Sequence, residues 1–151
     1  MRANVSVHCL FVINNFRHWK FSEYTMPHDG ARVITRWIEN LDDEVQAEFD
    51  ARFLHWRTHD KWHDLYRGAD EVDMPGERFE ELSQIREIAV TVNAVAYRIL
   101  GVHFDVWEFV MLIGYADPQR RAEVPSDVQV AFDERLNDLR KNPHNRCDYE
   151  F

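Results

Sequence analysis

The chain has 151 residues, the length of one compact domain, and 45% of them are apolar, enough to bury a core; a second catalytic domain and a disordered polymer are both excluded. Eighteen Lys and Arg against 27 Asp and Glu leave a net charge of −9, which excludes a general electrostatic affinity for nucleic acid or anionic membrane and leaves room only for a local basic patch. The acid is concentrated at residues 41–75, where four basic and ten acidic side chains sum to −6.

Cys9 and Cys147 lie near opposite ends and form no Cys-x-x-Cys pair, so neither a disulfide framework nor a four-cysteine metal site is expected. The apolar run Cys9-Leu10-Phe11-Val12-Ile13 is far too short to cross a membrane, and no small-residue cleavage site follows a basic start. A soluble cytoplasmic protein with reduced thiols is expected.

Residues 4–13 mix β-branched and aromatic side chains and stop at Asn14-Asn15, which predicts a strand entering a turn, and residues 18–26 read as a second strand. Pro27-His28-Asp29-Gly30 is turn chemistry. After it Val33, Ile34, Trp37, Ile38 and Leu41 share one face of a helix over about 30–40. Asp42 and Asp43 can cap a second helix, whose apolar face is Val45, Phe49, Phe53 and Trp56. Residues 60–78 keep no period and read mostly as loop, with a short turn around Trp62–Tyr66.

From Leu82 the pattern turns to β-branched and aromatic residues. Ile85–Val92, Val95–Val102 and Val106–Gly114 read as three strands of an antiparallel meander, with a turn at Asn93-Ala94. Ser126 followed by Gln129 is a capping-box start, and Val128, Ala131, Phe132, Leu136 and Leu139 predict a helix over 127–141, stopped at Asn142-Pro143. The order implies an α+β domain with its helices on one face of a mainly antiparallel sheet. Residues 1–17 would form an extension with a possible extra strand, 18–141 the domain, and 142–151 a disordered tail.

Four strings stand in order along the chain: Arg36-Trp37-Ile38-Glu39-Asn40-Leu41 with the following Glu44-Val45-Gln46 helix, Leu82-Ser83-Gln84-Ile85-Arg86, Tyr97-Arg98-Ile99-Leu100, and Phe109-Val110-Met111-Leu112-Ile113-Gly114. In this order they resemble the RelE/ParE superfamily of toxin–antitoxin toxins, particularly its phage-derived, HigB-like branch. The resemblance spans roughly residues 18–135.

It implies a RelE/ParE-like fold, a co-encoded antitoxin as partner, and in active members metal-independent cleavage of messenger RNA, usually on the ribosome; ParE-type relatives poison DNA gyrase instead. No cofactor is implied. Such chemistry uses strand-borne cations to orient and neutralise phosphate, and a general acid or base to help the ribose 2′-hydroxyl attack phosphorus. Carried over by position, Arg98 matches the arginine of the family's Tyr-Arg strand pair, and Arg86 matches the basic residue of the preceding motif. Arg120 and Arg121 fall where the family has a basic pair, and Tyr97 and Tyr115 stand as substitutes for its catalytic tyrosine, whose place holds Pro125. Leu82 and Gln84 stand where lysines are expected, and Tyr115-Ala116-Asp117-Pro118 is not basic.

Three expectations follow. The chain is an endoribonuclease toxin with Arg98 and Arg86 on phosphate and Arg120, Arg121 or a tyrosine assisting, or it is a binding protein that keeps the fold without the cleavage chemistry, or it is a gyrase-type target inhibitor. His55, His59 and His63 recur at helical spacing and read as an exposed helix edge, with metal binding the alternative. His144 and Cys147 would need to meet His8 and Cys9 to hold zinc.

Overall fold

The computed structural model describes residues 20–57, 85–105, 108–121 and 123–150. In chain order they form β1 (Lys20–Tyr24), α1 (Val33–Glu39), α2 (Asp43–Arg57), β2 (Ile85–Val92), β3 (Val95–Asp105), β4 (Glu108–Asp117), α3 (Ser126–Lys141) and β5 (Arg146–Asp148). The architecture is α+β around one five-stranded sheet of order β2-β3-β4-β1-β5. The expected strand over 4–13 and the loop over 60–78 lie outside the described residues.

The meander forms as the period-2 pattern predicts. β2 pairs antiparallel with β3 in unbroken register from Ile85↔Val102 to Val92↔Val95, and Asn93 and Ala94 take the left-handed backbone of a tight hairpin, φ 52° and 66°. β3 pairs antiparallel with β4 and slips register between Leu100 and Gly101, which leaves Leu112 as a bulge residue. Gly101 is required beside the bulge, because a Cβ there would strike the Val110 carbonyl and the Phe109 ring. Beyond it Gly114 lies flat under the Trp37 indole, which a Cβ would also strike.

The sheet is mixed. β1 enters between β4 and β5, parallel to β4 (Phe21↔Phe109, Glu23↔Met111) and antiparallel to β5 (Glu23↔Cys147). β5 corrects the expectation of a disordered tail: Tyr149 N–H donates to Phe21 O at 2.8 Å, Thr25 N–H to Asn145 O at 3.0 Å, and Lys20 pairs with Asp148 at 3.0 Å. A three-residue strand has too little pattern to be seen in sequence, and here pairing with β1 holds it.

The single helical layer is also corrected. Ile34, Ile38, Val45, Phe49 and Phe53 of α1 and α2 pack with Phe21, Ile88, Val90, Ile99, Phe109 and Met111 on one face of the sheet. Val128, Phe132, Leu136 and Leu139 of α3 pack with Leu100, Val102, Val110 and Leu112 on the other. The sheet is therefore covered on both faces, which is why β4 reads as a continuous apolar run and not an alternating one. The capping box at Ser126 does not form: Pro125 occupies the N-cap position with no side-chain cap, and Gln129 Nε2 donates to Val124 O at 2.9 Å.

At the start of α1 the cap comes from another element. Glu23 on β1 is fully buried; its carboxylate accepts from the backbone N–H of Ile34 (3.0 Å) and Thr35 (2.8 Å), from Thr35 Oγ1 (2.5 Å) and from Arg32 Nε (3.2 Å). A substitution Glu23→Gln keeps the shape but puts a donor among donors. We expect it to cost on the order of 3 kcal/mol of stability, read as a lower urea midpoint at unchanged slope.

Candidate functional site at the Arg98 cluster

Alternation along the hairpin decides which side chains meet. Ile88, Val90 and Val92 of β2 face α1 and α2, so Arg86, two residues before Ile88 and opposite Gly101, takes that face as well. Leu100 and Val102 of β3 face α3, which puts Arg98, opposite Ala89, on the other side. The two expected phosphate-binding arginines thus stand on opposite faces of one sheet. Tyr97 packs against the cluster of α1 and α2, away from Arg98, whereas Tyr115, opposite Arg98 on β4, packs on the α3 side.

Around Arg98 the structure gathers a different set. Arg98 Nη1 donates to Glu87 Oε1 at 2.7 Å and Nε to Asp117 Oδ2 at 3.2 Å. All three residues are buried, Arg98 at 7% exposure, Glu87 at 3% and Asp117 at 1%. Burial by itself would lower the Arg98 pKa, but the hydrogen bond and charge of Glu87, with Asp117 behind them, hold it above its ordinary value. Burial first, then the Glu87 charge, pushes the Tyr115 phenol up to about 12, so it stays protonated at neutral pH.

Arg121 reaches the rim of this cluster, its Nε 3.9 Å from Asp117 Oδ1, with half its side chain in solvent. Arg120 is exposed and holds φ +48° in the turn that closes on the Asp117 carbonyl. Of the six residues expected in a site, Arg98, Tyr115 and Arg121 come together, Arg120 adjoins them, and Arg86 and Tyr97 do not join. Two carboxylates, Glu87 and Asp117, face two guanidinium groups, Arg98 and Arg121, so the formal charge of the cluster is zero.

Compared with protein-family models, curated proteins and solved structures, the chain matches none. The site is therefore read from its own chemistry.

Chemically the cluster is an ion-pair clamp across β2, β3 and β4 with one cation at its mouth. Asp117 was legible only as an interruption of an expected basic stretch; its role needed the strand register, which sets it beside Arg98. Among the described residues no three His, Cys, Asp or Glu side chains stand together as a metal site. His55 is exposed on α2 as expected, while His59, His63, His8 and Cys9 lie outside the described residues. Among the described residues no helix is long and apolar enough to cross a membrane.

Removing the Arg98 guanidinium strands two buried carboxylates. Arg98→Ala should destabilise by about 3–5 kcal/mol, and Glu87→Gln, which leaves Asp117 to balance the arginine, by less; chemical denaturation measures both. Alkali gives a second check. A tyrosine whose pKa is raised on folding from 10.0 to about 12 contributes stability that is whole below pH 10 and is lost as pH rises through 12. Stability should fall across that window, less steeply in Tyr115→Phe.

Proposed function

We propose that the chain works by binding a protein partner on a RelE/ParE-like scaffold and does not cut RNA. The observation that carries this reading is the engagement of Arg98. Its guanidinium, at the family's phosphate-binding position, is buried between Glu87 and Asp117, and the cluster offers a phosphate no net positive charge. A transition state with growing negative charge needs cations aimed at it, and cations already neutralised inside a sheet supply little. Arg86 on the opposite face, Pro125 in the tyrosine position and the net charge of −9 support the same reading. A co-encoded antitoxin, or a target such as gyrase, is the class of partner that the resemblance suggests.

A second reading, a metal-independent endoribonuclease toxin acting on messenger RNA, rests on one observation. Arg98, Tyr115 and Arg121 share a face around Asp117, so a cation at the mouth and a protonated phenol stand near each other.

Purified protein incubated with single-stranded RNA separates the two, with induced expression in a bacterial host beside it. We expect the RNA to remain intact, and any growth arrest to proceed without loss of a reporter message. Cleavage that Arg121→Ala or Tyr115→Phe lowers tenfold or more, in a protein that stays folded, would replace the first reading with the second.

A further inference from the structure

Leu112, the bulge residue of β4, stands opposite no residue of β3, and the pairing with β1 ends at Met111. Its carbonyl is met from outside the sheet, by Arg135 Nη1 of α3 at 2.7 Å. That bond fixes the guanidinium and uses one of its N–H groups. Because Nη1 is the engaged nitrogen, the edge formed by Nε and Nη2 stays whole, and such an edge holds both oxygens of a carboxylate side by side.

No acid of the described fold takes that edge. Arg135 is half-buried, and among the described residues no carboxylate pairs with it. Asp138, three residues on, is already occupied: Oδ2 accepts from Tyr24 Oη at 2.5 Å and Asn145 Nδ2 at 2.9 Å, and Oδ1 from Asn142 Nδ2 at 3.1 Å. Glu134 is exposed and acts on the guanidinium only through space. Burial lowers the Arg135 pKa, and Tyr24 and Glu134 restore only part of it.

Arg32 and Arg146 show the usual solution. Both are half-buried, and each pairs with a buried carboxylate, Glu23 at 3.2 Å and Glu108 at 2.8 Å. A chain with 27 acids to 18 Lys and Arg thus keeps a partly desolvated cation to which it gives only a neutral carbonyl. Charges taken out of water are ordinarily paired, so this one points to an anion from outside the chain. We propose that Arg135 anchors a carboxylate-binding site, in which Nε and Nη2 donate in parallel to the two carboxylate oxygens while Nη1 stays on the Leu112 carbonyl. A carboxylate brings the single negative charge that the guanidinium matches. A phosphate dianion brings more than it can balance, beside Asp138 and in a chain of net charge −9. The site shares no residue with the Arg98 cluster and goes beyond the reading above, so its test does not depend on that reading. A free organic acid and an acidic side chain of a protein partner share this chemistry.

Nitrogen-15 NMR of the full chain follows the Arg135 Nε–H signal directly, at an ionic strength held constant with sodium chloride. The probes are acetate, N-acetylglutamate N-methylamide, and N-acetylglutamine N-methylamide as the uncharged match. We expect a saturable shift with both carboxylates and none with the glutamine compound. Affinity read from the backbone N–H signals around Leu112 should fall about tenfold in Arg135→Lys, which keeps the charge but not the parallel pair of donors. Binding of the glutamate compound tenfold tighter than acetate would support a side chain of a protein partner as the source, and equal affinities a free organic acid. A shift of equal size at the exposed Arg140 Nε, a shift that sodium chloride alone reproduces, or an affinity unchanged in Arg135→Lys would overturn the proposal. If Arg135→Lys fails to fold, the contrast between the glutamate and glutamine compounds at the wild-type Arg135 signal decides.

Discussion

Most of the fold hangs on how β1 is held, and the Glu23 carboxylate holds it. A five-residue strand from one end of the chain must find its place between β4 and β5, and apolar burial of Phe21 and Tyr24 sets only which face goes where. Glu23 adds direction. Its oxygens take the first free N–H groups of α1 and the guanidinium of Arg32, so the strand, the turn after it and the helix lock as one unit. The helix has no cap of its own at Arg32 and seven residues are too few to be stable alone, so the strand supplies what the local sequence lacks. With α1 in place, Trp37 covers Gly114 and fixes the far end of β4.

The same logic recurs at Glu108, which is buried, and at Asp138, which is half-buried. Glu108, at the start of β4, accepts from Ser22 Oγ at 2.7 Å and from Arg146 Nε at 2.8 Å, and the Arg146 guanidinium lies over the Phe104 ring. Tyr24 donates its phenolic proton to Asp138 of α3 at 2.5 Å, and Asn142 and Asn145 complete that carboxylate. Glu108 thus ties β1 and β5 to β4, and Asp138 ties β1 to α3. Pairs of this kind add little net stability over apolar packing, but a wrong register leaves them unpaired at a cost of several kcal/mol, on the order that selects one arrangement from many. Among the buried acids of the described residues, Asp117 is the one with an oxygen that receives no hydrogen bond.

Periodicity made the elements legible and their arrangement much less so. The Ile85–Val92 strand, the Asn93-Ala94 turn and the apolar faces of α1, α2 and α3 follow from local spacing, and the structure agrees to within a few residues. The Leu112 bulge was invisible, because a continuous apolar run carries no mark of which residue is extra. Yet that bulge sets which side chains of β4 beyond it face α3, and so brings Tyr115 and Asp117 to Arg98. β5 and the cap by Glu23 were invisible for a different reason: both depend on a partner more than ten residues away in sequence, which local pattern does not record.

The position of Arg98 shows why a resemblance in strings does not settle chemistry. An arginine on a strand binds phosphate only if its charge is left over after the fold has used it, and here two acids on the flanking strands spend it. In sequence Glu87 and Asp117 carry no mark of their partner, and their effect depends on pairing across β2, β3 and β4. The one guanidinium of the cluster that remains half in solvent is Arg121, on a strained turn outside the sheet. At this end of the molecule the accessible guanidinium is therefore on the turn and not on the strand. The turn lies outside the sheet, and the buried pair of Arg98 with Asp117 anchors the strand end from which it starts.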